Sequence, residues 1–217
     1  MLSQMYDLFL SSFWETLIMV GISGVIGAAV GVPIGIVLYL TDRQGVLSNA
    51  AVNGVLGVIV NAVRSTPFII LLVAVIPFTR LIVGTSIGTA AAIVPLTIAA
   101  APFVARLVET ALREVDRGLI EAAQSMGASN WQIVTKVLLP EAWPGVIAGL
   151  TITFVSLVGY SAMAGAIGGG GLGDLGIRYG YQRFQPDVMV AVVLILIVFV
   201  QLVQSAGDWL VRRLSHK

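Results

Sequence analysis

Residues 188–207 read VMVAVVLILIVFVQLVQSAG, between Asp187 and Asp208, with no Asp, Glu, Lys or Arg inside. An α-helix needs about 20 apolar residues to cross the hydrocarbon core of a bilayer. This stretch has that length and composition, so it is predicted to be a transmembrane helix. Hydrocarbon offers no water to backbone N–H and C=O groups, and a helix satisfies them within itself.

The whole chain agrees with its cleanest segment. It has 217 residues, 58% hydrophobic and 11% charged, with a mean hydropathy of +0.98. A soluble domain carries about 25% charged residues. The net charge of +1 gives no bulk attraction to nucleic acid. There is no cysteine, which excludes disulfides and thiolate metal sites, and the one histidine, His216, stands at the C-terminus. No catalytic and no metal-binding residue is therefore assigned. The opening MLSQMYDLFLSSFWE has no Lys or Arg. It lacks the positive n-region of a secretory signal, so the first apolar run is expected in the mature protein.

Four further windows are long enough to cross. They span about 13–40, ending at the polar turn Thr41-Asp42-Arg43-Gln44-Gly45; 54–78, interrupted by Arg64; 87–108, with Pro95 and Pro102 inside; and 143–165. With 188–207 they predict an all-α integral membrane protein of five transmembrane helices, one domain over 13–209. No repeat of 20–50 residues is visible. Gly27, Gly31 and Gly35 form a small-xxx-small ladder that lets helices approach closely, either in general packing or in a dimer seam.

Five crossings place the termini on opposite sides, and the cations choose which. One side collects Arg43, Arg106, Arg113, Arg117, Lys136, Arg212, Arg213 and Lys217, the other Arg80, Arg178 and Arg183. The richer side is expected in the cytoplasm, with the N-terminus periplasmic and the C-terminus cytoplasmic. The polar segment at about 113–141 then lies in the cytoplasm.

That segment contains EAAQSMGASNWQIVTKVLLP, residues 121–140. Glu121, Ala122, Ala123 and Gln124 favour a helix, and Gly127 suits its left-handed C′ position. Ser129 followed by Gln132 is a capping box, so a second short helix is predicted over Trp131–Leu139, stopped before Pro140. The predicted shape is helix, elbow, helix. Ala122 and Ala123 offer a smooth face and Trp131 an exposed aromatic corner, which suits a docking surface better than a plain solvated loop.

The pattern Glu121-Ala122-Ala123, then Gly127, then Val137-Leu138-Leu139-Pro140 resembles the signature loop of ABC importer permeases, with Val137 where that pattern prefers isoleucine. The resemblance implies that this loop, with Glu121, Ala122, Ala123, Gly127, Ser129, Trp131 and Pro140, couples to a separate ATPase. The chain has no GxxxxGK[ST] loop, and Gly168–Gly171 is followed by Leu172-Gly173-Asp174 without the Lys and Ser or Thr that phosphate and magnesium need. No cofactor is expected in this chain, and ATP and Mg would be bound by the partner.

Residues 159–187, GYSAMAGAIGGGGLGDLGIRYGYQRFQPD, and the compact layout resemble the methionine-uptake branch of those permeases over nearly the whole chain. The branch implies a homodimer in the bacterial inner membrane, two ATP-binding cassette subunits and a periplasmic methionine-binding lipoprotein. A permease for another small amino acid or related compound is the alternative. The glycine run is expected to end the fourth helix and turn outward, since each glycine costs a helix about 1 kcal/mol. Arg178, Tyr179, Tyr181 and Arg183 beyond it read as an interfacial aromatic belt or as a docking surface for the binding protein. Arg64-Ser65-Thr66-Pro67 matches an Arg-x-Thr-Pro element of small amino-acid importers. Arg64 could meet a substrate carboxylate, pair with Glu109, or reach to water. Tyr160, Ser161 and Met163 are the further candidates for the translocation path or gate, against simple packing.

Two other classes fit less well. Gly21-Ile22-Ser23-Gly24 has the look of a membrane serine protease, but no histidine or lysine lies within the bilayer windows to act as base. A self-sufficient secondary transporter would be expected to show an internal repeat.

Overall fold

The computed structural model describes residues 2–43 and 45–215. Met1 of the opening segment, Gln44 of the polar turn, the lone histidine His216 and the counted cation Lys217 lie outside the described residues. The described chain is helical, with ten α-helices. These are α1 (Leu2–Thr41), α2 (Ala50–Ser65), α3 (Phe68–Ala74), α4 (Ile76–Val83), α5 (Thr89–Arg113), α6 (Arg117–Ser125), α7 (Asn130–Ile133), α8 (Leu139–Ala164), α9 (Gly171–Leu175) and α10 (Pro186–Leu214). Four helical stretches, Met5–Thr41, Thr89–Arg113, Asn130–Gly169 and Pro186–Leu214, are long and apolar enough to cross a membrane, and the bent pair α2 and α3 makes a fifth when the two are counted as one broken span.

The second crossing differs from its expectation. The window 54–78 is not one helix: α2 and α3 meet at 106°. Pro67 is the cause, because its ring disfavours the α region for the residue before it. Thr66 accordingly takes an extended backbone, φ −83° and ψ 126°. The first helix also differs. It begins at Leu2 rather than near residue 13, because Met5, Leu8, Phe9 and Phe13 pack against the buried Leu172 and Leu175 of α9 and Val188 and Val192 of α10.

Lipid tails are as apolar as leucine, so helices associate in a bilayer largely through close packing. Glycines mark the seams. A Cβ on Gly31 would stand 2.4 Å from the Ala101 carbonyl oxygen, and one on Gly35 would stand 2.4 Å from that of Ala105. The ladder of Gly27, Gly31 and Gly35 is thus filled by this chain's own α5, running parallel to α1. Of the two readings of the ladder, packing within the chain is the one observed. α8 runs antiparallel to α5, with Gly145 against Ala111 and Gly149 against Leu107, and α10 packs on α8 with Gly207 against Thr151.

The bundle therefore has two ends. One holds the start of α1, the start of α5 and the end of α8. The other holds the end of α1, the end of α5, the α6–α7 segment and the end of α10, so the start of α1 and the end of α10 sit at opposite ends. Of the predicted cation-rich group, Arg43, Arg106, Arg113, Arg117, Lys136, Arg212 and Arg213 gather at the α6–α7 end, and Arg80, Arg178 and Arg183 lie at the other.

Candidate functional site

The α6–α7 end is built from local signals. The Asp116 carboxylate accepts from the Gly118 N–H at 2.7 Å and starts α6. At its far end the Gly127 N–H donates to the Gln124 carbonyl at 2.9 Å and the Ala128 N–H to that of Ala123 at 3.1 Å. That pair of bonds is the Schellman arrangement, which needs a left-handed residue between. Gly127 supplies it, at φ 77°. The capping box is present in both halves: the Ser129 N–H donates to Gln132 Oε1 at 2.8 Å, and the Gln132 N–H donates to Ser129 Oγ at 3.3 Å. Helix, elbow and helix stand as the sequence predicts.

The second short helix does not stop at Pro140. α7 widens into a π-helical turn at Val134–Leu138 and continues into α8. Pro140 has no N–H, and its ring would crowd the carbonyl four residues back in a regular helix. The π turn relieves this by shifting the ladder: the Leu139 N–H donates to the Val134 carbonyl, five residues back. The two alanines also part company. Ala122 is exposed, whereas Ala123 is 4% exposed and belongs to a core with Val108, Leu112, Ile133 and Leu138. Ala123 fastens the loop to the bundle rather than facing outward. Glu121, Ser129 and Pro140 are exposed, and the tip shows Met126 at 80% and Trp131 at 75% exposure. Met126 was not singled out in the sequence; an apolar side chain just before a C′ glycine was the available signal.

Across a cavity of about 440 Å³ from α6, lined by Tyr39, Asp42, Arg113, Arg117, Ile120 and Glu121 among others, stands the end of α1. Asp42 and Arg113 are joined there by an ion pair of 2.9 Å. The Arg43 backbone N–H, at 2.8 Å, holds the Asp42 carboxyl below the usual carboxylate range; partial burial opposes this and the Arg113 guanidinium adds to it. Arg113 also donates to Glu109, which is 3% exposed and receives Arg106 as well.

This settles one alternative for Arg64, since Glu109 is taken by Arg106 and Arg113 and not by Arg64. Arg64 instead lies with its guanidinium 6.0 Å from the centroid of the Phe103 ring. It borders a cavity of about 120 Å³ with Thr66, Phe68, Phe103 and Tyr160. The Tyr160 ring stacks on Phe68 at 4.6 Å. So Arg64 from the last turn of α2, Thr66 from the break that follows it and Tyr160 from α8 come together. Ser65 and Ser161 do not join them: Ser65 donates to the Asn61 carbonyl at 2.8 Å, and Ser161, buried, donates to that of Val158 at 2.8 Å. Met163 is 47% exposed on α8, one turn from Tyr160.

At the opposite end the chain turns at the glycine run. Gly168, Gly170 and Gly171 have φ of 94°, 80° and 78°, so the fourth helix ends there as expected. The turn does not lead straight outward. α9 folds back into the bundle with Leu172 and Leu175 buried. The Gly171 N–H donates to Glu15 Oε2 at 2.6 Å, the Leu172 N–H to Thr16 Oγ1 at 2.9 Å, and the Gly88 N–H to the Gly168 carbonyl at 2.8 Å. Glu15 and Thr16 left no local trace in the sequence. Beyond α9, Arg178 pairs with Asp174 and the Arg183 guanidinium lies 4.2 Å from the Tyr179 ring centroid. Tyr179 packs partly against the α9–α10 core, while Tyr181 is exposed.

Comparison with known proteins gives concordant results. The model of the family described as "Binding-protein-dependent transport system inner membrane component" matches residues 31–216. The chain is 58% identical over 211 residues to the probable D-methionine transport system permease protein MetI of Vibrio cholerae, covering 97% of this chain and 94% of that one. It is 51% identical over 217 residues to the protein of the same description from Pasteurella multocida, covering 100% of both. A solved structure of the MetNI methionine ABC transporter in inward-facing conformations superposes with a TM-score of 0.95 at 53% identity, covering 98% of this chain and 99% of that chain.

Proposed function

The chain belongs to the family of binding-protein-dependent transport system inner membrane components, and we propose that it is the permease subunit of an ATP-driven importer of methionine. As a multi-pass membrane permease it performs no chemistry of its own. The observation that carries this reading is near-full-length likeness, in sequence and in backbone, to proteins described as methionine transport permeases and to a methionine ABC transporter.

In this reading the chain sits in the bacterial inner membrane with the α6–α7 end in the cytoplasm, and residues 13–209 form its permease domain. Two copies pair about a translocation path, and each seats its loop on one of two ATPase subunits, which bind ATP and Mg. Glu121, Ala122, Gly127, Ser129 and Trp131 present or shape the docking surface, with Ala123 and Pro140 tying it to the bundle. Arg64, Thr66 and Tyr160 line the path, Met163 projects beside them as an apolar gate, and Ser65 and Ser161 stabilise the helix turns that carry them. Arg178, Tyr179, Tyr181 and Arg183 form the receiving surface for a periplasmic methionine-binding lipoprotein. ATP-driven closure of the ATPases draws the loops together and opens the path outward; hydrolysis returns it.

The substrate is tested by competition. Uptake of labelled methionine by the complex in proteoliposomes with its binding protein is expected to be abolished by excess unlabelled methionine and little affected by other amino acids. Faster uptake of a different amino acid would assign the permease to that compound.

A further inference from the structure

Glu109 is the one charged side chain that is buried among the described residues, and neither the loop surface nor the cavity beside Arg64 uses it. A buried carboxylate destabilises a fold unless it is fully paired. Here Glu109 Oε2 accepts from Arg106 Nη1 at 2.6 Å, and Oε1 accepts from Arg113 Nη2 at 2.7 Å and Nε at 3.2 Å. A guanidinium is a rigid planar fork, so fixing one edge aims the other. Both forks point their remaining nitrogens at other elements. Arg113 Nη1 reaches Asp42 Oδ2 at 2.9 Å, at the end of α1. Arg106 Nη2 donates to Asn61 Oδ1 at 2.7 Å, on α2. One carboxylate thereby sets two arms.

The arm to α2 matters because that helix is thinly packed, through Leu56 and Val60 against Ile34 and Leu38 of α1 and Ala105 of α5. Val60 is its only buried residue. Asn53 ties its beginning to α1, donating to the Leu38 carbonyl at 2.7 Å and to Thr41 Oγ1 at 3.3 Å. Its last turn carries Arg64 and runs into the break before Pro67, and Asn61 links that turn to α5. The end of α5 in turn shares a core with the loop: Val108, Ala111 and Leu112 pack with Ala123, Ile133 and Leu138.

We infer that Glu109 is a positioning residue which, through Arg106 and Asn61, ties the loop to the broken second span, so that displacement of the loop moves the cavity lined by Arg64 and Thr66. The inference rests on the proposed ATPase-driven permease. The loop and α5 move as one packed unit, and the Arg106–Asn61 bond drags the last turn of α2 with them. Without it, loop motion is absorbed by α2 slipping on its thin contact.

The experiment measures methionine uptake and ATP hydrolysis together in proteoliposomes holding the full complex, with co-purification of the ATPase as the measure of assembly. Asn61 is exposed, so Asn61→Ala leaves the buried cluster intact. It is expected to assemble and hydrolyse ATP but to lower uptake per ATP about tenfold, within the usual range of allosteric coupling. Asn61→Asp keeps an acceptor for Arg106 and is expected to retain uptake per ATP near wild type. Glu109→Gln is expected to lose at least as much as Asn61→Ala, and the double variant no more than Glu109→Gln alone. Wild-type uptake per ATP in Asn61→Ala, additive losses in the double variant, or equal losses in Asn61→Ala and Asn61→Asp would each overturn the inference. Absence of ATP-driven uptake in the wild-type complex would instead overturn the permease reading, and the inference with it.

Discussion

The chain reverses direction at both ends of the bundle, by different means. At the α6–α7 end the caps come from near neighbours in sequence: Asp116 for α6, Ser129 and Gln132 for α7, Gly127 between them. At the glycine-turn end the caps come from Glu15 and Thr16 of α1, 156 residues away from the amides they receive. The first end keeps its shape by itself and leaves Met126 and Trp131 free on its tip. The second exists only as part of the bundle. A segment that must bear on another protein suits the first design, and a segment that must close the space between helices suits the second.

Substitutions that stress the two ends should separate folding from transport. The largest effect is expected at Gly173, where a Cβ would stand 2.4 Å from the Ala162 Cα and carbonyl oxygen. Both are backbone atoms of α8 and have little room to retreat. Gly173→Val should prevent α9 from seating, at a cost at or above the roughly 1–3 kcal/mol typical of overpacking. The folded yield in detergent should fall sharply and uptake with it. A normal yield would mean that the close approach of α8 and α9 is not required.

Gly127→Val is expected to come next and to show the opposite pattern. Nothing lies within 4 Å of a Cβ there, so packing is untouched, but the φ of 77° remains. A β-branched residue in that region costs about 1–2 kcal/mol or forces another backbone. The folded yield should hold while ATPase co-purification and uptake fall together. Equal damage to yield at Gly127 and Gly173 would break the contrast between the two ends.

The smallest effect is expected from Ser129→Ala. It removes half of the capping box and about 1 kcal/mol of local stability, while the Schellman bonds still make the elbow. Uptake should fall by no more than a few-fold, with yield unchanged. Complete loss of uptake would show that the Ser129 hydroxyl serves the partner rather than the helix.

The same contrast explains what could be read from the sequence. Crossing helices announce themselves by length and hydropathy, as 188–207 does, and the cap and elbow residues sit within a few positions of what they cap. Pro67 is visible, yet its neighbours are apolar enough for one crossing; the 106° bend needed the backbone itself. Pro140 misleads for the opposite reason, because a π turn lets the helix run through it. Glu109 shows the limit most clearly. Its spacing to Arg106 and Arg113 is a helical signal, but Asp42 reaches the cluster from the turn after α1 and Asn61 from α2. No local pattern marks them, just as none marks Glu15 and Thr16.

The central claim is that force enters this chain through its loop from an ATPase partner. The most direct test is methionine uptake in proteoliposomes under three conditions: the chain alone, the complex with ATP and an active ATPase, and the complex with an ATPase variant that binds ATP without hydrolysing it. Sustained uptake is expected in the second condition only. Concentrative uptake by the chain alone, or turnover without hydrolysis, would contradict the account.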